Sequence, residues 1–141
     1  MLDRNSSILA LDMGEQRIGL AIANVVARLP NPFRTIPNNE QTMKALLQII
    51  QEEGVAILVV GRPRGLNGQE TDQTRICDSF TEELRTQLPV PVYAQDEAVT
   101  SKKAEAELKS RGRPYVKGDI DALAASYILE DFLQEHQEIR A

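Results

Sequence analysis

Ile8-Leu9-Ala10-Leu11-Asp12-Met13-Gly14-Glu15-Gln16-Arg17-Ile18-Gly19-Leu20-Ala21-Ile22-Ala23-Asn24 reads as a strand, a tight turn and a second strand. Ile8 to Leu11 is apolar at every position, the pattern of a central strand covered on both faces rather than a half-exposed one. The run ends in a carboxylate. At the end of a buried strand Asp12 is costly unless its charge is paired, hydrogen-bonded or bound to a metal, so it is either a turn former or a functional acid. Gly14 offers the positive φ that a hairpin turn uses.

Outward from this hairpin the chain alternates. Pro30 and Pro32 interrupt the segment from Ala27 to Ile36, which therefore reads as an edge strand. Asn39 offers an N-cap, and Met43, Leu46, Leu47 and Ile50 recur at the spacing of one helix face until Gly54 ends it. Val55 to Val60 is a second fully apolar strand, reached from a helix and so expected to be parallel to the first. The Gly- and Arg-rich stretch from Gly61 to Gly68 is a loop at the end of that strand, where open α/β sheets commonly hold ligands. Thr71 or Asp72 caps the next helix, whose expected core stripe is Ile76, Phe80 and Leu84. A short strand from Pro91 to Ala94 leads into Gln95-Asp96-Glu97. Thr100 or Ser101 caps a helix from about Lys102 to Ser110, and Asp119 opens a last helix with Ile120, Leu123, Ala124, Tyr127 and Ile128 inward. Asp121 falls on its first turn.

Bulk properties narrow the class. A chain of 141 residues with 42% apolar content fits one domain, residues 1–141, with its core at about 6–135 and a short acidic C-terminal tail. It has no long apolar span and no signal-peptide pattern at the N-terminus, which points to a cytoplasmic protein without a membrane partner. The single Cys77 sits with Phe80 and Leu84 as a core residue, and His136 reads as a surface residue without a second histidine to share a metal. The net charge of −5 argues at first against nucleic acid. Yet Lys102, Lys103, Lys109, Arg111, Arg113 and Lys117 place six of the 16 basic residues within a short stretch opposed only by Glu105 and Glu107. Such a cluster can follow a phosphate backbone or simply be a solvated helix face.

The element order, three strands, helix, strand, helix, strand and two helices, lets Asp12, the Asp96-Glu97 pair and Asp121 converge at one sheet edge. Oxygen donors in that arrangement suit Mg²⁺ (or Mn²⁺), with Asp12 as the bridging ligand of a two-metal phosphodiesterase. Leu11-Asp12-Met13-Gly14 with Arg17-Ile18-Gly19-Leu20-Ala21, then Val59-Val60-Gly61-Arg62-Pro63 with Gly68 and Gln73-Thr74, then Asp96-Glu97, and last Asp119-Ile120-Asp121-Ala122-Leu123-Ala124-Ala125, resemble the YqgF/RuvX family in order and spacing. The resemblance covers about Ile8 to Leu133. It implies an RNase H-like α/β fold: a mixed five-stranded sheet, three antiparallel strands then parallel ones, with helices on both faces. It also implies a Mg²⁺-dependent nuclease of structured RNA that processes the 5′ end of pre-16S ribosomal RNA, or a Holliday junction resolvase acting on four-way DNA junctions, and it matches Asp12, Glu97 and Asp121 to the family's acidic triad. Arg17, Arg62 and Lys102 are the accompanying phosphate-binding candidates, and the protein is expected as a monomer or weak homodimer. Two departures stand out. Ala98 follows Glu97 where the family usually has arginine, which raises the alternative of a catalytically impaired nucleic-acid-binding protein. Val26-Ala27-Arg28 stands where the family usually has a glycine. An Asp-x-Gly hairpin also opens sugar-kinase and actin-like phosphate sites, but those enzymes close two domains on a nucleotide and one short domain is too small.

Overall fold

A computed structural model describes residues 2–97 and 100–141, apart from the side chains of residues 100–102. Five strands form one sheet: β1 (Ser7–Met13), β2 (Arg17–Asn24), β3 (Asn31–Pro37), β4 (Val55–Pro63) and β5 (Val92–Glu97), in the order β3-β2-β1-β4-β5. β1, β2 and β3 are antiparallel neighbours, whereas β4 runs parallel to both β1 and β5. This is the mixed sheet expected from the sequence, with the proline-bearing strand at an edge. The last expected strand extends further, through Asp96 and Glu97, because the Arg64 N–H continues the ladder to the Glu97 carbonyl at 3.0 Å.

Four helices cover the sheet: α1 (Thr42–Glu53), α2 (Asp72–Gln87), α3 (Thr100–Ser110) and α4 (Lys117–Glu135). Alternation along β1 decides what each face receives. Leu9 and Leu11 point with Ile18 and Leu20 toward α1 and α2, meeting Leu46, Ile49, Phe80 and Leu84. Ile8 and Ala10 point the other way with Ala21 and Ala23, toward Ala125, Ile128, Leu129 and Phe132 of α4. α3 packs outside α4 through Ala104, Leu108, Leu123, Ala124 and Tyr127, so α4 lies between the sheet and a second helix. Every residue from Ala122 to Leu129 is consequently buried, a pattern that no single helix face would give. Among the described residues no helix is long and apolar enough to cross a membrane.

Local details revise several expectations. α1 buries Thr42, Leu46, Ile49 and Ile50, while Leu47 sits at the rim; Thr42, rather than Asn39, binds the strand end, donating to the Pro37 carbonyl at 2.9 Å. In α2 the inward stripe is Thr74, Cys77, Phe80, Thr81 and Leu84, and Ile76 is half exposed. Thr71 caps that helix through reciprocal bonds with Thr74. α4 begins at Lys117, two residues before Asp119, whose carboxylate instead accepts the Val116 N–H at 2.9 Å. His136 is partly covered, stacked on Phe132 at 4.3 Å between ring centroids. Gly14 takes no positive φ; its need is steric, since a Cβ there would stand 2.6 Å from the Arg17 carbonyl oxygen. Arg28, in the segment where the family usually has a glycine, takes a left-handed φ of 54°. Its guanidinium donates to the carbonyls of Leu133, His136 and Ile139, which ties the end of α4 to the end of β2.

Gly19 is the tightest point in this architecture. A Cβ there would lie 2.1 Å from the Asp121 carbonyl oxygen and 2.9 Å from the Ala122 nitrogen, both main-chain atoms that cannot rotate aside. Gly19→Ala should therefore push the first turn of α4 off the sheet and cost about 3 kcal/mol, a fall of roughly 10 °C in melting temperature. A thermal melt within 2 °C or so of wild type would mean that α4 has slack at this contact.

Candidate active site

Asp12 is the sixth residue of β1 and pairs across the hairpin with Gly19. It follows Ala10 by two, so it faces α4. Gly19 lets the α4 main chain come down on β2, which sets Asp121 beside Asp12. The consequence is electrostatic. Burial, and secondarily the Asp121 charge, push the Asp12 carboxyl up to about 6. Arg17, the first residue of β2, partly balances the pair by donating from Nε to Asp121 Oδ2 at 2.9 Å. Its two terminal nitrogens make no hydrogen bond among the described residues, so the guanidinium holds Asp121 and keeps donors for another oxyanion.

Glu97 lies on the same face of the sheet but apart from that pair. The register places Val60 beside Leu11 and Glu97 beside Pro63, so Glu97 is two strands across and two residues further along than Asp12. That separates the two Cα atoms by roughly 12 Å. Its neighbours are α4 side chains in the next turns down the helix. Burial, a hydrogen bond with Asp131 and the charges of Asp131 and Glu135 push the Glu97 carboxyl up to about 9, against the smaller opposing effect of Lys103. Two carboxyls can share a hydrogen bond only when one is protonated, and Oε1 of Glu97 is buried with no partner. Gln95, two residues earlier on this face, is buried and donates to Glu135 at 2.9 Å. Asp131 and Glu135 have the i, i+4 spacing that would have revealed them in the sequence, had α4 been known to cross β5 there.

The other expected residues divide. Asp96 faces the opposite side of β5 and is bound by Arg62 and Arg64 at 3.4 and 3.3 Å. Arg62 also grips Asp78 through two bonds of 2.7 and 2.9 Å and meets Glu70 at 3.0 Å, so three carboxylates hold it as a brace between β4, α2 and β5. Asp78 and Glu70 went unnoticed in the sequence, where nothing marks them as its partners. Ala98 lies outside the described residues, as does the Lys102 side chain. Cys77 is buried and its thiol is pushed up to about 11 by burial, as an inert core residue should be.

The described residues hold no group of three carboxylate, histidine or cysteine ligands close enough to cage an ion. What they hold is an all-oxygen pair, Asp12 and Asp121, and an unpartnered carboxylate oxygen on Glu97. Hard divalent cations such as Mg²⁺ and Mn²⁺ suit this donor set, because they bind through one or two carboxylates and complete their shells with water and phosphate oxygens.

A mixed five-stranded sheet, here with an acid at the end of its central strand met by an acid from the last helix, is an arrangement this chain shares with known resolvases and nucleases. The family model described as RuvX, Holliday junction resolvase, matches residues 6–135. The chain belongs to that family. A relative from Chloroflexus aurantiacus described as "Putative pre-16S rRNA nuclease" is 40% identical over 89% of this chain and 85% of its own length. One from Rickettsia africae with the same description is 36% identical over 99% and 93%. Among solved structures, T. thermophilus RuvC in complex with a Holliday junction substrate superposes with a TM-score of 0.54 at 16% identity, over 96% of this chain and 98% of that one. The Fowlpox virus resolvase bound to Holliday junction DNA superposes with a TM-score of 0.52 at 9% identity, over 93% and 98%. At those identities the likeness concerns the fold.

The Asp12 shift makes stability depend on pH. Its folded value of about 6 lies above the ordinary 3.8, so the folded state binds the proton more tightly. Stability is fully present below pH 4 or so and is lost as pH rises through about 6, by up to about 3 kcal/mol. In EDTA, Asp12→Asn should remove that loss, so the variant should melt higher than wild type at pH 7.5 and equally at pH 4. Parallel pH profiles for the two proteins would dismiss the half-buried pair.

Proposed function

We propose that this chain is a divalent-cation-dependent nuclease that hydrolyses phosphodiester bonds in structured RNA and trims the 5′ end of pre-16S ribosomal RNA. The observation that carries this reading is the Asp12–Asp121 pair, two carboxylates pressed together at the end of a central strand in a chain whose relatives are described as pre-16S rRNA nucleases. Burial of one carboxylate beside the charge of another is a burden in a purely structural site and an asset in one that receives a cation.

Asp12, Asp121 and Glu97 are the residues that would hold Mg²⁺ or Mn²⁺, with Asp12 central. The cation, when bound, activates water and stabilises the departing oxygen. The remaining work belongs to the protein. Arg17 fixes the Asp121 carboxylate and offers its free guanidinium nitrogens to a phosphate oxygen. Glu97, held protonated by burial and by Asp131, would have to give up that proton to solvent in order to serve as a ligand. Arg62 acts by holding the loop after β4 in place, and Lys102 remains a phosphate candidate. The protein would work in the cytoplasm, as a monomer or weak homodimer.

Junction resolution is the second reading, favoured by the description of the family itself. The two are separated by offering the protein a precursor RNA end and a four-way DNA junction in Mg²⁺. Cleavage of the RNA alone is expected. Cleavage of the junction alone would select the resolvase, and binding without cleavage of either would select a catalytically impaired binding protein. Asp12→Asn should lower the cleavage rate by orders of magnitude with the fold intact. It should also shrink the stabilisation by Mg²⁺, which for wild type at about ten times the dissociation constant is about 1.4 kcal/mol. A variant that cuts at the wild-type rate would remove Asp12 from the reaction.

A further inference from the structure

Beside the first turn of α4, on the side away from Glu97, a groove of about 560 Å³ opens between the sheet edge and the loop joining α3 to α4. Residues 32–35 of β3 form one wall, and residues 113–116 with the first turns of α4 form the other. Among the described strands β3 pairs with β2 alone, so its outer edge is not covered by another strand. Gly118 brings α4 close to that strand, since a Cβ there would already stand 3.1 Å from Thr35 Oγ1. The groove therefore ends within one helical turn of Asp121.

Its charge runs against that of the whole molecule. In a chain of net charge −5, Arg34, Arg111 and Arg113 all line this one groove. Arg111 is paired with Glu107 at 2.6 Å, but among the described residues no carboxylate lies within salt-bridge reach of Arg34 or Arg113. The acid that lines the groove, Asp119, is occupied in accepting the Val116 N–H. Apolar surface lies between the cations: Tyr115 is half-buried, and Val116 is 68% exposed at the helix start. Unpaired guanidiniums interleaved with an aromatic ring and an open main-chain edge are what a single nucleic-acid strand requires. The guanidiniums take phosphates, and the ring and strand edge take bases. A duplex is about 20 Å wide and does not enter a cleft of this size.

We infer that this groove binds the single-stranded segment flanking the scissile phosphate, so that the protein selects substrates in which an unpaired RNA strand leaves a helical stem. The inference rests on the nuclease reading for its orientation toward Asp121, but it makes a claim about binding that is tested without cleavage.

The test compares wild type with the Arg34→Ala/Arg113→Ala double variant in EDTA. The probes are a fluorescein-labelled RNA hairpin carrying a ten-nucleotide 5′ extension and the same hairpin with a blunt end. Both arginines are exposed, and equal melting temperatures check the fold. For the extended hairpin the variant should bind about tenfold more weakly, and its dependence of log K on log salt should be shallower by roughly 1.4, the amount for two single-strand phosphate contacts. The blunt hairpin should bind both proteins alike. Equal weakening toward both probes, or none toward either, overturns the groove. Loss of all cleavage in Mg²⁺ by wild type, with this binding difference intact, would instead overturn the nuclease reading and leave the strand site standing.

Discussion

The contact between Gly19 and the main chain of Asp121 is the constraint on which the remaining structure depends. A helix crossing a sheet at ordinary distance stands about 10 Å away, with side chains filling the space. Here β2 has no side chain at the crossing, and α4 descends until its carbonyl oxygen would touch even a methyl group. The strand partner of Gly19 is Asp12. One absent Cβ thus determines where α4 sits and, through it, how close the two acids come.

That closeness is held by packing rather than by attraction between the acids. α4 is buried against the sheet on one side and α3 on the other, and Arg28 fastens its far end by three main-chain carbonyls. Apolar burial over several turns outweighs the repulsion of one carboxylate pair, so the acids cannot relax apart. The same helix carries Asp131 and Glu135 to the end of β5, where they confront Glu97. α4 is therefore the common support of both groups of acids. A shift of this helix would alter the two together.

Much of this was legible in the sequence. The strand order of types, the proline-bearing edge strand, the αL cap at Gly54 and the placement of Asp12 at a buried strand end all follow from apolar runs and breakers, which are local signals. The faces of α1 and α2 were less legible, because Leu47 and Ile76 fit a helical stripe as well as Ile49 and Cys77 do; which stripe is covered depends on where the neighbouring helix ends. α4 was legible in part: Leu123, Ala124, Tyr127 and Ile128 are buried as their spacing indicates, but a helix packed on two sides also buries Ala122, Ala125, Ser126 and Leu129, which no single stripe marks. Convergence of the triad was half legible. Chain order indicates that all three acids reach one face, but the distance between Glu97 and Asp12 depends on strand order across the sheet, and the intervening β4 keeps them apart. Asp78 and Glu70, the partners of Arg62, are a half-buried helix acid and an exposed loop acid that nothing in a linear sequence distinguishes from solvated ones.

The two faces of the sheet also face different demands from substitution. Toward α1 and α2 the sheet presents Leu9, Leu11, Ile18 and Leu20, large side chains that can exchange volume with one another and with flexible partners. Toward α4 it presents Ala10, Ala21, Ala23, Gly19 and Gly61, where a Cβ on Gly61 would meet Ile128 Cδ1 at 2.4 Å. Added bulk on the first face is a matter of repacking a core. On the second, at Gly19, it lifts the helix that carries Asp121, so one extra methyl group at that position becomes a change in the spacing of the acids. The core toward α1 and α2 can drift as sequences diverge, while the Gly19 crossing has almost no room to vary without changing the chemistry.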